Sequence, residues 1–277
     1  MGNIGVAGIL LIAANVLFSY RGFKNHTFFN AYKFEIDPIL VRKDYKRLIT
    51  SGFLHVDWIH LFFNMYTLYA FSGVLETFLG WPIFLVIYFA SLIGGDLLAL
   101  FIHRNHHHYS AVGASGAVSG VIFATIALFP HAELRVFFIP MPSWLFGILF
   151  VAGSMYGIKS KRDNIGHDAH LGGALIGMLV AILFMPQVLQ VNYIPILAIV
   201  VPTILFIVIL ATKPHLLLID TSKKQSEFMK NYNQDQRFNA ERNQRQQEVD
   251  RILDKINRTG AGSLSEKEKE TLKNHVR

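Results

Sequence analysis

Cysteine is absent from the 277 residues, which excludes structural disulfides and thiolate metal sites. Charge is scarce: Asp, Glu, Lys and Arg make up only 16% of the chain, against 52% hydrophobic residues, and the mean hydropathy is +0.36. An ordinary soluble domain carries more polar surface than this. The N-terminus lacks a charged n-region, since Gly2 and Asn3 lead straight into an apolar run, so no removable signal peptide is expected. The net charge is +7, but no folded basic face carries it. Lys and Arg fall in loops and in the C-terminal tail, which suits membrane headgroups rather than a nucleic acid.

What the sequence does have is long apolar runs. A helix needs about 20 apolar residues to cross a bilayer. Seven stretches qualify as candidates, at 3–20, 57–78, 82–102, 111–128, 136–154, 169–186 and 192–212. The expected fold class is all-α: a polytopic membrane helical bundle. Residues 1–186 form a six-span core, 187–212 an extra transmembrane span, and 213–277 a soluble polar tail. That tail holds 14 Lys/Arg and 10 Asp/Glu. Near its end, Val249, Ile252, Leu253 and Ile256 share one helical face, Gly260-Ala261-Gly262 breaks it, and Ser265 with Glu268 reads as a capping box. A two-helix module over 249–277 follows. Loop one, 21–56, is long and rich in Phe, Tyr and Ile, and is expected to fold against the membrane.

Alternate spans run in the same direction, so spans two, four and six begin at one membrane face. Those three starts carry unusual polar residues. Span two opens Asp57-Trp58-Ile59-His60, with Asn64 one turn on and on the same face as His60. Span four carries Gly113-Ala114-Ser115-Gly116. Span six opens Asp168-Ala169-His170. Polar and ionisable groups within membrane spans are costly and mark function by default. Taken singly, Ser115 reads as a packing residue beside the small-xxx-small pair Gly116/Gly120, mirrored by Gly173/Gly177, and His170 or Asn64 as an interhelical hydrogen bond. Together they support acyl transfer. Ser115 is the nucleophile and His170 the base that takes its proton. His60, Asn64 and the Ser115 N–H donate to the oxyanion. Asp168 would point elsewhere and Asp96 lies deeper, so a Ser–His dyad is the simpler reading. Asp57 and Ser110 are expected N-caps of spans two and four. His103 and His106-His107-His108 read as a polar loop without a metal.

These motifs, Gly113-Ala114-Ser115-Gly116, Ala169-His170-Leu171-Gly172-Gly173 with Gly177, and His60-Leu61-Phe62-Phe63-Asn64, resemble those of the rhomboid intramembrane serine proteases, over about residues 1–186. The resemblance implies a rhomboid-like six-helix core in the six-plus-one arrangement. It also implies cleavage of transmembrane protein substrates near the bilayer surface, no cofactor, and structural roles for Arg47 and Glu76. Two positions depart from the pattern. Lys46-Arg47 stands where the family often has Trp-Arg, and Ser119 where it often has an aromatic against the catalytic histidine.

The alternative function is a non-proteolytic rhomboid-like protein that binds client transmembrane helices. A transporter fits less well, because Asp96 has no counterpart in the other half. The chain is expected to be an integral multi-pass membrane protein, in the cytoplasmic (inner) membrane if bacterial. Of 12 Lys/Arg before residue 213, 11 lie in odd loops. The positive-inside rule would therefore put Ser115 at the cytoplasmic face, whereas the resemblance implies the opposite and is preferred here.

Overall fold

In the computed structural model, the described residues are 5–106, 109–136, 139–160 and 165–212, with Ile252, Lys255, Ile256, Leu264, Ser265 and Glu268 of the tail. The chain divides into two compact units, Met1–Leu217 and Leu218–Arg277. Seven long helices make up the described part of the first: α1 (Val6–Lys24), α5 (Trp58–Leu79), α6 (Trp81–His103), α7 (Ser115–Leu128), α8 (Ser143–Ser160), α9 (His167–Phe184) and α11 (Tyr193–Thr212). Short helices α2 (His26–Tyr32), α3 (Ile36–Leu40) and α4 (Arg47–Thr50) build loop one, and α10 (Val188–Val191) precedes α11. The molecule is a helical membrane bundle. Four helices, α1, α6, α9 and α11, are long and apolar enough to cross a bilayer on length and hydropathy alone.

Helix α7 is the centre. Every residue after Ser115 in it is buried, so it meets protein on all sides and need not match the bilayer. Its 14 residues span roughly 21 Å, short of the ~30 Å hydrocarbon core. Helices α6 and α9 pack most closely on it. The α7–α9 seam is backbone on backbone: a Cβ on Gly173 would collide with the Gly116 carbonyl, and one on Gly177 with the Gly120 carbonyl. The matching order of these contacts makes α7 and α9 parallel. Helix α6 joins the seam at Gly95, where a Cβ would meet the Ala169 carbonyl oxygen at 2.5 Å.

Polar residues close the helix ends. The Glu76 carboxylate accepts from the N–H groups of Ala7 (3.1 Å) and Gly8 (2.7 Å), capping α1. Asn192 donates to the last carbonyls of α7, on Ala127 (3.0 Å) and Leu128 (3.2 Å). Asp57 caps α5 as expected, accepting from the His60 N–H at 2.7 Å. Helix α11 is mostly lipid-facing and packs inward through Ile196, Ile199 and Thr203.

Several boundaries differ from expectation: α1 runs on to Lys24 rather than residue 20, and α8 to Ser160 rather than residue 154. The span at 136–154 begins later, at Ser143, because β3 (Glu133–Val136) and β4 (Ile139–Pro142) form an antiparallel hairpin first; its two prolines, Pro140 and Pro142, break the helical register. Ser110 does not cap span four. It lies in β2 (Ser110–Ala111), paired with β1 (Phe34–Glu35), and α7 starts only at Ser115.

Loop one is a folded platform held by Arg47, which is buried. Its guanidinium donates to the carbonyls of Asn30 (3.0 Å) and Lys33 (2.7 Å) and to the Asp44 carboxylate (2.9 Å). Leu40, Val41, Tyr45 and Ile49 stay exposed, a composition suited to the headgroup region. Lys46, at the position where the family often has Trp, seats its ammonium 5.6 Å from the Tyr32 ring centroid. In the tail, the capping box forms: Ser265 N–H donates to Glu268 (2.8 Å) and Glu268 N–H to the Ser265 hydroxyl (3.3 Å). Lys255 pairs with Glu268 at 2.9 Å, and Ile252 is buried. Val249 and Leu253 lie outside the described residues.

Gly177→Val drives methyl groups into the α7 backbone, and should lower the thermal midpoint in detergent by the equivalent of about 1–3 kcal/mol or more. Gly153→Ala on α8, where a Cβ meets nothing within 4 Å, should be neutral or stabilising by up to about 1 kcal/mol.

Candidate active site

Ser115 is the first residue of α7, and the N-cap residue before it, Ala114, supplies no side-chain cap. Its leading N–H groups, with the positive end of the helix dipole, therefore face the serine. The segment before it is tightly fixed. Gly113 has φ +134, which disfavours any side chain. Its N–H donates to the Ser51 carbonyl at 3.1 Å. The β1–β2 pairing and the Ile36 N–H to Tyr109 carbonyl bond (3.3 Å) tie the same segment to loop one.

Ser115 and His60 converge on Gly113. A Cβ placed there would lie 2.7 Å from His60 Cε1, 2.9 Å from His60 Nε2 and 3.6 Å from Ser115 Oγ. The other ring nitrogen of His60, Nδ1, is buried and has no hydrogen-bond partner among the described residues. Asn64 is buried one turn below, its amide donating to the His60 carbonyl at 3.0 Å. Ser115, His60 and His170 are each only half-buried.

His170 sits in the first turn of α9, its N–H on the Gly166 carbonyl (3.1 Å). The seam sets its height: Gly116 packs against Ala169 and Gly173, the residues flanking His170 by one and three positions. Thus α5, α7 and α9 all present their candidate residues at the same end of the bundle. Two rings flank His170. Phe150 of α8 lies 5.9 Å away and His167 5.8 Å away, edge-on. Ser119 turns back to its own helix, donating to the Ser115 carbonyl at 2.7 Å.

The two nearby acids have partners on other elements. Asp168 lies 2.8 Å from His103 Nε2 on α6, and Asp96 takes the Ser51 hydroxyl at 2.9 Å. His103 also stacks on Tyr109 at 3.7 Å and meets His106 Nδ1 at 3.1 Å; His107 and His108 lie outside the described residues. No group of three or more His, Asp or Glu that could hold a metal occurs among the described residues.

Residues 42–187 match the family described as Rhomboid domain. The chain belongs to the rhomboid family. Residues 232–277 match a second family, described only as a family of unknown function (DUF6576). Rhomboid relatives include the RHOMBOID-like protein 12, mitochondrial, of Arabidopsis thaliana, 31% identical over 190 residues, 63% of this chain and 56% of the relative. Rhomboid protein 1, mitochondrial, of Saccharomyces cerevisiae is 35% identical over 150 residues, 51% and 43% respectively. The human presenilin-associated rhomboid-like protein, mitochondrial, is 30% identical over 141 residues, 47% and 36%. The chain thus spans between a third and three-fifths of the length of these relatives. Like the family, it is an integral multi-pass membrane protein.

One residue packed against this candidate site was missed from the sequence. His55, fully buried, lies between the 3-10 turn Ser51–Phe53 and α5. Its ring meets His60 at 4.9 Å in a T-shaped contact. The signal available was its position, one polar residue in the short apolar run Phe53-Leu54-His55-Val56. Burial, with the neighbouring His60 adding to it and Asp57 opposing, pulls its pKa from 6.5 down to about 3. The fold therefore favours neutral His55, and between these two values the unfolded chain binds the extra proton. That contribution to stability is complete above pH 6.5 and is lost as pH falls toward about 3. The thermal midpoint of detergent-solubilised protein should drop across this window, and His55→Gln should shrink the drop.

Proposed function

We propose that this rhomboid is an intramembrane serine endopeptidase that cleaves transmembrane-segment substrates near the membrane surface with a Ser115–His170 dyad. The observation that carries it is the convergence of the Ser115 hydroxyl and the His60 ring on the bare backbone of Gly113. Ser115 attacks the scissile carbonyl while His170 takes its proton, then returns it to the leaving amine. The tetrahedral oxyanion is met by His60, by Asn64 and by the Ser115 N–H at the open start of α7. Half-burial of the reactive side chains, at the end of a helix shorter than the bilayer, suits a reaction that needs both a membrane substrate and water. No cofactor enters this chemistry.

The substrate enters sideways. Helix α5 packs on α1, α6 and α7, and presents Trp58, Ile59, Phe62, Phe63 and Tyr66 to lipid beside the site. A transmembrane segment passing this face must unwind locally, because a regular helix keeps its carbonyls hydrogen-bonded. The curated relatives named above are mitochondrial, and lend nothing to an inner-membrane location in a bacterium.

Ser115→Ala and His170→Ala should each abolish cleavage of a model transmembrane substrate and labelling by a fluorophosphonate, with membrane insertion intact. His60→Ala and Asn64→Ala should each slow cleavage by about 10²–10³. Cleavage retained by purified Ser115→Ala would overturn the assignment and favour the client-binding alternative.

A further inference from the structure

We infer that His55, with Ser19 of α1, is a positioning residue for the nucleophile segment, acting through the N–H of Ala114. This rests on the proposed role of Ser115. The hydrogen bonds around His55 leave one consistent proton arrangement. The Ser19 hydroxyl donates its single proton to the Phe53 carbonyl at 3.0 Å, so it must accept from His55 Nδ1–H at 2.8 Å. His55 Nε2 then carries a lone pair, and accepts from the Ala114 N–H at 3.4 Å. Ser19 and His55 are both 0% exposed, so these bonds lie within the protein interior.

The chain runs from the first membrane helix to the residue before Ser115. Ala114 is itself fully buried and its N–H precedes the first turn of α7. Gly113, one residue earlier, is pinned by Ser51. The two bonds fix two consecutive peptide units, so Ser115 emerges in one direction. The same ring packs against His60, which keeps the nucleophile and the oxyanion histidine in fixed relation. Neither Ser115 nor the substrate touches His55 in this scheme. A residue acting this way controls the rate through geometry, since a misplacement near 1 Å costs about 10²-fold.

The side chain of glutamine can reproduce both bonds, an amide N–H toward Ser19 and an amide oxygen toward Ala114; leucine can reproduce neither. The test compares wild type, His55→Gln, His55→Leu and the milder Ser19→Ala, by fluorophosphonate labelling rate and by kcat and KM on a transmembrane substrate. Expected are a fall in kcat of about 10–100-fold for His55→Leu at unaltered KM, most of the rate restored in His55→Gln, and an intermediate loss in Ser19→Ala. Should His55→Leu misfold, the comparison of Ser19→Ala with His55→Gln still decides. Wild-type labelling by His55→Leu would overturn the inference, as would loss in His55→Gln equal to that in His55→Leu, or a Ser19→Ala that labels at the wild-type rate. If Ser115→Ala labels like wild type, the dyad itself fails, an outcome separate from all of these.

Discussion

The close approach of α7 to α9 is the constraint from which the rest of the bundle follows. Lipid chains offer no hydrophobic drive to bring helices together, so association depends on packing and on backbones that can touch. Gly116, Gly120, Gly173 and Gly177 provide that surface, with backbone carbonyls where side chains would otherwise stand. Because the contacts repeat every four residues along both helices, they fix register as well as distance. The level of His170 relative to Ser115 is therefore a property of the seam. Small residues at this interface are structural, and a packing reading of the segment does not compete with the chemistry proposed for it.

A seam alone leaves the start of α7 undefined, and loop one supplies what it lacks. Arg47 gathers the carbonyls of Asn30 and Lys33, which holds the platform that pairs β1 with β2 and places Ser51 under Gly113. The charged residue thus works at a distance of several hydrogen bonds from Ser115. Glu76 does the same at the other end, satisfying the first N–H groups of α1; α1 in turn carries Ser19. Buried backbone groups near hydrocarbon must find partners inside the protein, and each of these side chains satisfies two of them.

The parts of this architecture that were legible in the sequence are those with a local physical signature. Seven apolar runs marked the helices, Asp57 announced the start of α5, and Ser265 with Glu268 announced a capping box that forms. The grouping of His60, Ser115 and His170 at one end required only alternation of direction. What escaped depends on tertiary context. Ser110 has the chemistry of an N-cap, but its pairing with β1 and the positive φ of Gly113 delay the helix to Ser115. The hairpin before α8 trims an apolar run that hydropathy cannot distinguish from helix. His55 carries no spacing rule, and its meaning appears only when Ser19 and Ala114 are seen beside it.

Ser119 shows how a local departure is absorbed. The family often has an aromatic at that position, whereas here the serine hydroxyl bonds back to the Ser115 carbonyl. The ring against His170 instead comes from α8, as Phe150. Phe150 is itself held by Phe146 on its own helix and by Phe123, which lies on α7 one turn beyond Ser119. Helix α7 therefore still supports the imidazole, through Phe123 and Phe150 in series. The consequence is geometric: the surroundings of the His170 ring include α8 as well as α9.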